Sequence, residues 1–214
     1  MRFQDRRAAG RALAGQLGNY ANRPDVTVLG LPRGGVPVAF EVATRLGAPL
    51  DVCLVRKLGV PGYRELAFGA IAPGGVRVIN PDVFDRLDNG PQILEEVTSK
   101  ETEVLKQRER LYRGERPPLD LKNRTVILVD DGMATGATMR AAVAVMPTLG
   151  AARTVVAVPV APPDTVSELR SQVDDIVCCL VSEYFSAVSQ FYIEFSQTTD
   201  EEVQWFLKRS QVSE

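Results

Sequence analysis

Apolar residues near the start of the chain recur at helical spacing. Ala9, Leu13, Leu17 and Tyr20 share one face, which predicts an amphipathic helix. Asn22-Arg23-Pro24-Asp25 breaks it, and the period then changes. Val26–Leu29 is a short β-branched run and Gly30-Leu31-Pro32-Arg33-Gly34-Gly35 a loop. Ala39, Val42, Ala43 and Leu46 mark a helix over Val38–Leu46, and Asp51–Arg56 is a second apolar strand. Strand, loop, helix, strand is the order of a βαβ unit with parallel strands. The alternation returns downstream as strand Thr125–Val129, helix Ala137–Leu149, strand Thr154–Val160, helix Pro163–Val173 and strand Ile176–Val181. The last of these is apolar enough to predict cover on both faces.

The middle of the chain is patterned differently. Lys57–Leu66 (KLGVPGYREL) reads as a loop rich in Gly, Pro and charge. Phe68–Ala72 and Val76–Ile79, on either side of Pro73-Gly74-Gly75, read as a β-hairpin. Gln92–Arg113 is the longest helical pattern, with Ile93, Val97, Val104, Leu105, Leu111 and Tyr112 set against charges that alternate in sign from Glu95 to Arg116. Alternating charge of this kind is a solvated helix face rather than a binding tail. Thr199-Asp200-Glu201-Glu202 is a capping box that opens a terminal helix. The expectation is an α/β fold: an open, mostly parallel sheet with helices on both faces, as one domain over residues 1–214. Accessory elements over the sheet edge are expected within 79–118 and 184–214.

Composition narrows the chemistry. There is no histidine, which removes His-based triads and the usual zinc and haem ligand sets. The three cysteines, Cys53, Cys178 and Cys179, sit in apolar runs without C-x-x-C spacing, and read as buried thiols of a reducing compartment. The net charge of −2 lacks the basic excess of a nucleic-acid binder, so no nucleic-acid partner is expected. The charged start MRFQDRRAAGRALAG has no continuous apolar core of a secretory signal, and no run reaches bilayer-spanning length. A cytoplasmic protein without a membrane partner is the expectation.

The informative segment is Val126–Thr138, in which four aliphatics precede Asp130-Asp131-Gly132 and a loop of small residues with Thr135, Gly136 and Thr138. Two acids then stand where a strand leaves the sheet, the edge at which open α/β sheets bind ligands. The loop opens a helix whose free N–H groups and dipole favour an anion. Two carboxylates would repel a bare phosphate. They suit the hydroxyls of a sugar whose phosphate sits one loop further on. Asp-Asp-Gly alone would read as a turn; the full ordering argues for a site.

The segment resembles the thirteen-residue signature of type I phosphoribosyltransferases. That resemblance implies that Asp130 and Asp131 hold the ribose hydroxyls of 5-phosphoribosyl-1-pyrophosphate (PRPP), and that Ala134, Thr135, Gly136, Ala137 and Thr138 grip its 5′-phosphate. Leu31-Pro32-Arg33-Gly34-Gly35 is similar to the family's pyrophosphate loop, with Arg33 adding charge and Gly34 and Gly35 letting backbone N–H groups face the diphosphate; a helix-entry turn is the alternative. Arg56-Lys57 through Arg64-Glu65 is similar to the flexible loop of adenine and orotate phosphoribosyltransferases, which closes over the site; an ordinary mobile loop is the alternative. Arg33, Arg56, Lys57 and Glu65 are the candidate catalytic residues. The hypoxanthine–guanine branch carries an aspartate where this chain has Ala134; Glu65 is the candidate for that work, although a solvated surface glutamate is the commoner reading.

Over nearly its whole length the chain also resembles a subgroup of predicted bacterial phosphoribosyltransferases whose acceptor is undefined. They share the opening R-F-x-D-R-x-x-A-G, the L-P-R-G-G segment, the R-K loop and the closing D-E-E-V. The resemblance implies a transferase acting on PRPP and a small nitrogenous acceptor, with Mg²⁺ held through the substrate and Asp130 or Asp131 the candidate protein ligand. A homodimer is compatible with the long helix. A PRPP-sensing regulator on the same fold is the alternative, and a synthetase making PRPP from ribose 5-phosphate and ATP a second. Tyr184, Phe185, Phe191, Tyr192 and Phe195 could stack a planar base, although aromatics at this density are more often core or dimer contacts.

Overall fold

The computed structural model describes residues 2–117 and 119–210, and only the backbone of residues 64 and 65. Five strands form an all-parallel sheet: β1 (Val26–Gly30), β2 (Leu50–Val52), β6 (Thr125–Val129), β7 (Arg153–Ala161) and β8 (Asp175–Val181), in the order β2-β1-β6-β7-β8. Every residue of β1 and β6 is buried, as strands covered on both sides require. Alternate side chains enter two separate cores. Val26, Val28, Ile127 and Val129 pack with α1 (Arg6–Gln16), α2 (Gly35–Leu46) and α7 (Asp200–Ser210). Leu29, Val126 and Leu128 pack with α5 (Ala137–Val145) and α6 (Pro163–Arg170). The expected helices on both faces are present.

A second, three-stranded antiparallel sheet consists of β3 (Arg56–Val60), β4 (Tyr63–Ala72) and β5 (Val76–Ile79) and packs on α5. The expected hairpin over Phe68–Ile79 is its second half. The expected loop Lys57–Leu66 is instead its first hairpin, because Pro61 and Gly62 alone make the turn, Gly62 at φ 82°. Charge in that stretch was a poor loop signal, since an antiparallel ribbon tolerates polar residues on its open face. The apolar strand predicted to run to Arg56 ends at Val52, and the helix predicted from Val38 starts three residues earlier. The short α3 (Pro81–Phe84) leads into the long α4 (Gly90–Arg113), which packs on β3 and β4 and on α7.

Strand order fixes where a crevice opens. From β1 the chain turns outward to β2, whereas β6 lies on the other side of β1 and leads on to β7. The connections that leave β1 and β6 therefore diverge at their C-terminal ends, the topological switch point of an open α/β sheet.

Candidate active site

Both sequence segments singled out for phosphate and sugar chemistry leave the sheet at this switch point. Residues 31–35 follow β1 and residues 130–138 follow β6. The Leu31 N–H donates to the Val129 carbonyl at 2.8 Å, which ties the start of one loop to the end of the neighbouring strand. Gly34 and Gly35 then lie directly against the acidic pair. A methyl group on Gly34 would sit 2.1 Å from Asp131 Oδ2, and one on Gly35 would sit 2.6 Å from the Val129 carbonyl oxygen and 2.8 Å from Asp130 Cα. Any side chain at either position would push the loop off the aspartates. The Pro32–Arg33 peptide is cis.

The aspartates are neither sealed in the core nor fully in water; both are half-buried. Asp130 Oδ1 accepts from the Asp131 N–H at 2.8 Å. Asp131 Oδ2 accepts from Arg6 Nε at 2.8 Å, and the Asp131 carbonyl accepts from the Tyr192 hydroxyl at 2.6 Å. Burial pushes the Asp130 carboxyl well above the usual carboxylate range, and the neighbouring Asp131 charge pushes it further. Burial also raises Asp131, against the opposing pull of the Arg6 guanidinium. Two like charges this close oppose each other's ionisation, and the Arg6 guanidinium favours the charge on Asp131. Burial and the Asp130 charge also push the Cys53 thiol up to about 12, so it is inert as a nucleophile.

Beyond the acids, Gly136 at φ 69° caps α5 in the left-handed region. Ala134, Thr135 and Thr138 are exposed, so the helix N-terminus faces outward. Thr165 Oγ1 holds the loop from the α6 side by donating to the Ala134 carbonyl at 2.7 Å. A cleft of about 140 Å³ collects Leu31, Pro32, Arg56, Lys57, Arg108 and Thr138, so three candidate segments border one space. A larger cavity of about 260 Å³ is walled mainly by apolar residues such as Leu29, Leu121, Val145 and Met146, and no described residue of 31–35, 56–65 or 126–138 lines it, whereas the aspartates line neither space. Size does not make it the site, because a phosphorylated sugar needs donors that aliphatic walls lack.

Two of the candidate cations, Arg33 and Arg56, are held by protein carboxylates. Arg56 donates to Glu101 of α4 at 2.6 Å. Arg33 lies 3.7 Å from Asp200 at the start of α7, and Asp200 also accepts from the Tyr112 hydroxyl. The Glu65 side chain lies outside the described residues. Among the predicted aromatics, Phe191 and Tyr192 are buried with Phe3, whereas Tyr184 is 88% exposed. Phe195 carries the Arg6 guanidinium on its ring at 3.9 Å.

Arg6, Tyr192 and Phe195 were not read as a unit from the sequence. Arg6 lies 125 positions from Asp131, and a charged residue inside an amphipathic helix start carries no local signature of a site. Its presence in the opening R-F-x-D-R-x-x-A-G was the one available signal.

Residues 3–196 match the model of the phosphoribosyl transferase domain, and the chain belongs to that family. Relatives in two Mycobacterium tuberculosis strains, provisionally named phosphoribosyl transferases, are 48% identical over 97% of this chain. The chain spans about half the length of these relatives, 47%. The protein TT1426 from Thermus thermophilus has a crystal structure that is 46% identical, covers 98% of this chain and 99% of its own, and superposes with a TM-score of 0.90. Among the described residues, no helix is long and apolar enough to cross a membrane.

Proposed function

We propose that the chain is a phosphoribosyltransferase that binds PRPP at the β1/β6 switch point and transfers its phosphoribosyl group to a small nitrogenous acceptor, releasing pyrophosphate. The observation that carries this reading is the contact of Gly34 and Gly35 with Asp130 and Asp131, beside the open N-terminus of α5. One carboxyl pair, one glycine loop and one helix N-terminus match the three parts of the donor: vicinal hydroxyls, diphosphate and 5′-phosphate.

Each part has a physical task. Asp130 and Asp131 accept hydrogen bonds from the ribose hydroxyls. The backbone of residues 134–138 receives the 5′-phosphate against the positive end of the α5 dipole. The Gly34 backbone faces the diphosphate, while the Gly35 N–H closes the loop by donating to the Leu31 carbonyl at 3.0 Å; Arg33, Arg56 and Lys57 are the nearby cations. As the bond from the sugar C1 to the diphosphate breaks, these groups stabilise the leaving anion and hold the sugar for attack. Mg²⁺ fits the donor set, because a half-buried carboxyl pair with one arginine gains from a divalent cation. Asp130 or Asp131 would hold it together with substrate oxygens, and its charge would screen the diphosphate.

Residues 184–196 border the acidic pair through Tyr192 and supply the acceptor-facing lobe in this reading, while 79–118 contributes Glu101 and Arg108. The test is a panel of purines, pyrimidines and other nitrogen acceptors with PRPP and Mg²⁺, scored by pyrophosphate release. Turnover with one acceptor supports the transferase. Saturable PRPP binding without turnover across the panel favours the regulator, and strict dependence on ATP and ribose 5-phosphate favours the synthetase.

A further inference from the structure

We infer that Arg6 is the positioning residue of the ribose site, orienting Asp131 from a brace built between residues 3–6 and 191–196. This rests on the donor reading above and extends it to a residue outside the loops that bind the donor. The brace begins in the backbone. Phe3 N–H donates to the Phe191 carbonyl at 2.8 Å, Ile193 N–H to the Phe3 carbonyl at 2.9 Å, and Glu194 N–H to the Gln4 carbonyl at 2.9 Å. Phe3 and Tyr192 form a parallel bridge, and their rings meet at 5.8 Å. Asp5 then caps α1 by accepting from the Ala8 N–H at 2.7 Å. That register delivers Arg6, the first residue of the helix, to Phe195 and Ser196.

Three contacts fix the Arg6 side chain. Its guanidinium stacks on Phe195 at 3.9 Å, Nη1 donates to the Ser196 carbonyl at 2.6 Å, and Nε donates to Asp131 Oδ2 at 2.8 Å. Phe195 in turn packs on Tyr192 at 5.0 Å, and the Tyr192 hydroxyl holds the Asp131 carbonyl. Side chain and backbone of Asp131 are therefore gripped by one connected unit, with Gly34 on the remaining side. The Arg6 side chain is only 12% exposed, so it acts through Asp131 rather than by meeting the donor itself. A planar guanidinium suits this work, because it stacks and donates at once where an ammonium cannot.

A merely structural arginine and a positioning one differ in which ligand suffers on substitution. Ribose 5-phosphate presents the sugar hydroxyls and no diphosphate; pyrophosphate presents the reverse. Calorimetric titrations of the full chain with each, and with PRPP and Mg²⁺, are made on wild type, Arg6→Lys, Arg6→Met and Phe195→Leu. The last removes the stacking face without touching the charge. The expected result is that Arg6→Met weakens ribose 5-phosphate and PRPP about tenfold or more, the loss of a charged hydrogen bond. Arg6→Lys and Phe195→Leu fall between it and wild type, and pyrophosphate binding stays the same in all four. Equal losses for ribose 5-phosphate and pyrophosphate, or no loss for either, would overturn the assignment. A wild type that binds no PRPP would sink the donor reading itself, and is a separate outcome.

Discussion

The two edges of the parallel sheet treat their aspartates in opposite ways. At the N-terminal edge, Asp25 accepts from Arg23 at 2.7 and 3.1 Å and from the Thr125 hydroxyl at 2.9 Å, and these partners hold its carboxyl down at about 2. Arg124 there donates to Thr27 Oγ1 at 2.7 Å, and Asp174 accepts from the Thr154 N–H at 2.7 Å. At the C-terminal edge, Asp130 and Asp131 are adjacent, half-buried and both raised, and the Arg6 guanidinium pulls against that rise. Arrangement of the first kind stabilises a fold. Arrangement of the second kind burdens it, and a burdened carboxyl pair at the switch point is what the proposed donor site calls for.

The largest effect is expected where the burdened edge is most tightly packed. Gly34→Ala and Gly35→Ala would each drive a methyl into atoms closer than any van der Waals contact. Each should cost about 1–3 kcal/mol of stability and abolish measurable PRPP binding, as read by urea denaturation and calorimetry. If both variants kept wild-type stability and affinity, the close approach of the loop to the aspartates would be wrong.

Asp130→Asn separates stability from function. It removes a carboxyl that burial and a like charge disfavour, and should raise stability by about 0.5–2 kcal/mol. At the same time PRPP binding should weaken roughly ten- to hundredfold. A variant that lost stability instead would contradict the raised carboxyl. The pH dependence follows from the sign of the shift. A carboxyl raised in the folded state binds its proton there more readily than in the unfolded chain, so its contribution favours folding increasingly as pH falls from neutral toward the ordinary carboxylate range. That gain should be present in wild type and absent in Asp130→Asn when denaturation is followed across this window.

The opposite edge supplies the smallest effect. Asp25 is depressed, so the stability it adds is complete above its unfolded value of 3.8 and is lost as pH falls toward about 2. Asp25→Asn should lower the melting temperature slightly at neutral pH, as expected for an exposed pair, and should leave PRPP binding unchanged. A large loss of affinity in this variant would erase the division between the two edges.

What could be read from the sequence follows the range of the interactions involved. Alternating apolar strands and helices are local, and they revealed the α/β sheet. Val126–Thr138 carried its ordering within thirteen residues, so the acidic pair and the small-residue loop were legible together. The first half of the small sheet was misread because Lys57–Leu66 forms strands by pairing with its own neighbours, against a composition that favours a loop. Arg6, Phe195 and Tyr192 were invisible as a unit, since what joins them is a backbone pairing between residues 3–4 and 191–194. The engagement of Arg33 with Asp200 and of Arg56 with Glu101 was hidden for the same reason.

The most direct test of the central claim is calorimetric titration of PRPP with Mg²⁺ into wild type, Asp131→Asn and Asp25→Asn under one buffer and salt. Saturable binding by wild type and Asp25→Asn, with affinity lost in Asp131→Asn, is the predicted result. The same dissociation constant in all three, or no binding by wild type, would contradict the account.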